Sequence, residues 1–172
     1  TDGAHPEKTQ VQCVADSSNS LDEKYFDIYT AAGKTLIWLD VPGGSSAPTG
    51  SGSYADTIEV TQVGTGDSAA RVAVALASAI NEDAGGHTTA EVNGDTVIIT
   101  DGANAVRTDA SAGDSGFTVT TIQDGATSGN VIPNIVVKYG VDGDTTPTET
   151  FSNGTNFSSN KLAHAEGWQV AE

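Results

Sequence analysis

The chain has 172 residues, enough for one domain with a core of its own and no need of disulfide or metal staples. Hydrophobic residues make up 37 %, charged residues only 17 %, and Gly fills 20 positions; this excludes a wholly disordered chain and a helical bundle, and favours short strands joined by polar turns. Seven basic residues stand against 23 acidic ones, a net charge of −16, so phosphate backbones and anionic lipid heads are repelled and neither nucleic-acid nor membrane binding is expected.

In chain order, residues 1–10 are polar, contain Pro6 and read as an N-terminal arm, without the basic start and apolar core of a signal peptide. Val11–Val14 reads as a short strand. Cys13 is the sole cysteine, which allows no intrachain disulfide and suits a small buried hydrophobe. After the polar loop Asp16–Lys24, Phe26 and Ile28 alternate with Tyr25, Asp27 and Tyr29, and Ile37, Leu39 and Val41 alternate with Leu36, Trp38 and Asp40. With Ala31-Ala32-Gly33-Lys34 between them, these runs predict a β-hairpin. Pro42–Ser53 is a Gly/Ser/Pro-rich loop, and Thr57–Val63 is the next strand.

One helix is predicted over Ser68–Asn81, with Asp67 as its N-cap and Val72, Leu76, Ala79 and Ile80 on one face. Gly85-Gly86 follows its end. Thr88–Val92 and Thr96–Thr100 flank Asn93-Gly94, the preferred centre of a type I′ hairpin turn. Asp101–Gly116 is a long polar loop, Phe117–Ile122 a strand, and Val131–Tyr139 the last clear strand. Beyond Gly140, Phe151, Phe157, Leu162 and Trp168 stand singly among polar spacers. That pattern predicts an extended C-terminal arm, 141–172, whose isolated apolar residues anchor it on a neighbouring subunit. The domain proper then spans 11–140. The expected fold class is α+β, mostly β: an antiparallel sandwich or barrel-like sheet of about seven strands with one helix packed on it.

The sequence holds several fragments of chemical motifs. Gly113-Asp114-Ser115-Gly116 matches the nucleophile tetrapeptide of trypsin-like serine proteases, but His87, the histidine at a credible distance upstream, lacks that family's Ala-Ala-His-Cys setting, and Phe117 follows. His5, His87 and His164 lie in separate segments without zinc-site spacing. Asp101, Asp109, Asp114 and the Asp142-Gly143-Asp144 run could supply oxygens to Ca²⁺ but carry no EF-hand pattern. Gly50–Ser53 and Gly64–Asp67 lack the Lys of a phosphate loop. Tyr25, Tyr29, Trp38 and Tyr54 form a sugar-stacking strip, or else the tyrosines cover an interface or the surface. No catalytic, cofactor-binding or metal-ligating residue is therefore expected.

The stretches Tyr25–Val41, Thr57–Val60, Asp67–Asn81, Thr88–Thr100 and Gly113–Val119, taken in this order, resemble a domain found repeatedly in structural proteins of tailed bacteriophages. The resemblance implies an interaction module without catalysis. It points to a virion protein, assembled in the host cytoplasm, whose partners are itself and the major capsid or tail proteins. The first expectation is a capsid decoration or cement protein that works as a homo-oligomer. The alternatives are a tail-tube protein forming stacked rings and, from another class, a carbohydrate-binding or adhesin module.

Overall fold

The computed structural model describes residues 4–50 and 52–127, together with the backbone of the short strands Ile135–Val137 and Glu149–Phe151. The chain divides into two units, residues 3–128 and a second made of residues 129–172 with the first two residues.

The first unit is mostly β, seven strands in two sheets plus one helix. The four-stranded sheet is wholly antiparallel, in the order β5 (Thr88–Asn93), β6 (Thr96–Asp101), β1 (Lys8–Gln12), β7 (Thr118–Gln123). The three-stranded sheet runs β2 (Tyr25–Thr30), β3 (Gly33–Leu39), β4 (Asp56–Val60). β2 and β3 form the expected hairpin. The second unit contains the ladder β8 (Ile135–Val137) with β9 (Glu149–Phe151).

Strand alternation sorts the side chains. Register places Phe26 beside Ile37 and Ile37 beside Ile58, so one row of the three-stranded sheet is apolar. Val11 faces Val97 in the other sheet, and Thr9 faces Ile99. These rows join one core with Val72, Leu76 and Ile80 of the helix α1 (Ala69–Glu82). Each large side chain so buried stabilises the fold by about 1.5–3 kcal/mol. Small Ala73 and Ala77 are buried on the same helix, which lets it approach closely. Phe117, just ahead of β7, packs its ring on Phe26 at 6.0 Å and a tilt of 57°.

Five particulars differ from the sequence reading. Residues 1–10 do not form an arm throughout: β1 begins at Lys8 and lies between β6 and β7. Its apolar signal is carried by Val11 alone, because Thr9 fills the other inward position. β3 and β4 pair in parallel, which the long connection between them allows and a tight turn would not. The helix cap is Ser68, whose hydroxyl accepts from the Arg71 amide; Asp67 instead accepts from the Gly64 amide at 2.8 Å and closes the preceding turn. The second hairpin turns on Gly94-Asp95, because Asn93 still pairs with Thr96 and only Gly94 has positive φ, at 65°. Finally, the domain ends near residue 128, short of the expected 140, and β8 belongs to the second unit.

Candidate functional site

The side chains best suited to chemistry are bonded into the loops. Ser115 is buried; its hydroxyl donates to the Ala112 carbonyl at 2.7 Å and accepts from the Phe117 amide at 3.1 Å. The protease-like tetrapeptide is thus the turn that launches β7. Asp114 beside it accepts from the Tyr25 amide at 2.9 Å and from Lys24 Nζ at 3.2 Å, fastening the turn to the edge of β2. His87 lies in the turn before β5, where its carbonyl accepts from the Gly102 amide at 2.7 Å.

The three aspartates considered for Ca²⁺ are not brought together. Asp101 pairs with Arg107 at 2.6 Å, Asp109 accepts from the Thr121 hydroxyl, and Asp114 serves β2. Among the described residues no group of three or more His, Cys, Asp and Glu could hold a metal ion. His164 and Asp142-Gly143-Asp144 lie outside the described residues.

Other carboxylates also hold backbone. Asp16 accepts amides from Asn19, Leu21 and Gly66 at 3.0, 3.1 and 2.8 Å, tying the loop before β2 to the loop before α1. Burial works against its charge, yet those amides prevail and its pKa lies below the ordinary value. Asp40, at the end of β3, accepts from the Ser45 and Gly44 amides, which lower its pKa. Its neighbour Glu59 on β4 is raised, first by burial and then by Asp40.

Tyr25, Tyr29 and Tyr54 gather round a buried ion pair. Lys34 Nζ lies 3.0 Å from Asp27 and 4.7 Å from the centre of the Tyr54 ring. Burial disfavours the Lys34 charge, but Asp27 outweighs it and the pKa is raised. Trp38 is only 3 % exposed, so it offers no face for a sugar.

The two sheets have four edges, and the chain treats them differently. β2 is covered: Asp27 exchanges both backbone bonds with Ser111, and the Asp114 amide donates to the Tyr25 carbonyl. β5 is stoppered by the helix residue Asn81, which donates to the Ala90 carbonyl at 2.9 Å and accepts its amide at 2.8 Å. β7 and β4 form no backbone bond outward among the described residues. β7 carries no charge along its length, and its alternation places Ile122, 48 % exposed, with Thr118 and Thr120 on the exposed face. β4 borders a cleft of about 270 Å³ against the last turn of α1, lined by Thr57, Glu59, Gln62, Ala79, Glu82 and Asp83.

Sequence reasoning missed both open edges, because strand order cannot be read from the strands themselves. The Glu82-Asp83 pair at the helix end was the visible signal. Of the expected arm anchors, Phe151 lies in β9 opposite Ile135, whereas Phe157, Leu162 and Trp168 lie outside the described residues. Among the described residues no helix is long and apolar enough to cross a membrane. The chain matches no family model, and no curated protein matches it either.

Proposed function

We propose that this chain is a non-enzymatic structural protein of a tailed-bacteriophage virion, a capsid decoration protein that works by assembling with copies of itself and with the shell. The observation that carries the reading is the uneven treatment of the sheet edges. An exposed strand edge is a template for pairing, and proteins that stay apart blunt it with charge, Pro or cover. Here two edges are covered, while β7, Thr118–Gln123, is left uncharged in a chain of net charge −16. An uncharged strand is where two such acidic chains can meet with least repulsion. The loop-bonded carboxylates and the buried Ser115 support the non-catalytic part, and the phage-like order of segments over residues 25–125 supports the virion part. The open β7 edge also favours a second reading, a tail-tube ring closed by lateral strand pairing.

Light scattering on a gel-filtration column, with negative-stain images of the same peak, tests the proposal. Rings or tubes would favour the tail reading. A small oligomer that binds empty capsids would favour decoration. In either case Thr120→Lys with Ile122→Lys is expected to lower the oligomer mass. A monomer at all concentrations that binds neither shells nor tails would overturn both.

A further inference from the structure

The second open edge, β4, differs from β7 in what surrounds it. The cleft beside it, about 270 Å³, runs between the free side of Asp56–Val60 and the C-terminal turn of α1. Glu59, Glu82 and Asp83 line it, and no Lys or Arg does. Glu82 and Asp83 also stand at the helix end that already carries the negative pole of the peptide dipoles, with no basic residue in the last turn. Glu82 takes one bond from the Ser78 hydroxyl, and Asp83 one from the Gly85 amide, and neither partner is a cation. At the strand, the Thr57 amide donates to its own neighbour, the Asp56 carboxylate, at 2.8 Å. A strand edge with no outward backbone partner and a negative wall with no Lys or Arg, both among the described residues, therefore face the same cleft.

We propose that this cleft is a docking groove for an extended, lysine- or arginine-bearing segment of a partner protein, which adds as a fourth strand beside β4. Main-chain bonds to β4 would supply the geometry, and alternate basic side chains would meet Glu59 on the sheet and Glu82 and Asp83 on the helix. Five residues of strand span about 17 Å, so a hexapeptide fills the edge. The inference stands apart from the virion reading, because it uses only the local geometry and charge.

The test uses the full chain and a capped hexapeptide of alternating lysine and threonine, followed by amide NMR at low salt. Amide signals of Asp56–Val60 should move, and binding should weaken as salt rises. A peptide of equal charge with alternate amides N-methylated should bind at least about tenfold more weakly, as should the native peptide to Glu82→Lys/Asp83→Lys. That double variant places cations at the helix C-terminus, where they stabilise it; should it fail to fold, the N-methylated peptide still decides on the native protein. Equal binding of both peptides, shifts confined to other strands, or shifts produced by Ca²⁺ alone with none from the peptide would each overturn the proposal.

Discussion

Single side chains settle much of the pH behaviour of this fold, and they act in opposite senses. Asp16, 5 % exposed, holds three amides and its pKa is lowered in the folded state. Its stabilisation is therefore complete above the unfolded value near 4 and lost as pH falls through the folded one. Asp16→Ala should cost about 3 kcal/mol at pH 7 in a urea melt, because three amides lose a charged acceptor. Glu7 is also buried, but its pKa is raised, chiefly by burial, with Asp109, Asp101 and Asp124 adding to it against a bond from the Arg107 amide. Its contribution is present at low pH and is lost as pH rises through the folded value. Glu7→Gln should therefore raise the melting temperature at pH 7 and leave it unchanged near pH 4; a gain that persists at pH 4 would refute the account. Burial pushes the Cys13 thiol up to about 12, so the native protein should resist a thiol reagent that labels it promptly in denaturant. Thr35 Oγ1 is buried without a hydrogen-bond partner among the described residues. Thr35→Val should accordingly stabilise the protein by about 1 kcal/mol.

At the scale of elements, the helix does two jobs. Its apolar stripe fills the core between the sheets, and its last turn closes the β5 edge through Asn81. Asn81→Ala should cost about 2 kcal/mol, since the Ala90 amide and carbonyl both lose their partner. It should also bare an edge next to a hairpin with no Pro in it, so faster aggregation of the variant at equal unfolded fraction is the expected second outcome. Asn81→Asp retains the acceptor and loses the donor, and should fall between the two. The loop 102–117 works in the same way on β2, where Ser111 and Asp114 take up the backbone groups of Asp27 and Tyr25.

At the scale of the whole molecule, residues 3–128 contain both sheets, the helix and the core, and form a unit by themselves. A chain ending at residue 128 should keep the far-UV circular dichroism of a β protein and one cooperative thermal transition. The proposed arm makes a separate prediction: removing residues 145–172 should weaken assembly while the fold persists. An unchanged assembly mass would remove Phe151, Phe157, Leu162 and Trp168 from the interface.

The sequence by itself determined the elements of residues 4–127 whose signals are local. Alternation in Thr96–Asp101 marks a strand with one face turned inward, the apolar run Leu36–Leu39 marks a strand buried on both faces, and the 0, 4, 8 spacing of Val72, Leu76 and Ile80 marks the buried face of the helix. Those patterns follow from the two- and 3.6-residue periods of the backbone and need no neighbour to be read. Only the tertiary structure decided the place of β1, whose Thr9 and Val11 give a weak pattern until β6 and β7 flank them. It also decided the parallel pairing of β4, the one-residue shift of the second turn, and which acids became loop staples. Above all it decided which strands stand at the rims. An edge is a relation between strands distant in sequence, so β4 with its acidic cleft and β7 with its uncharged side become visible as sheet edges only when the sheets are assembled.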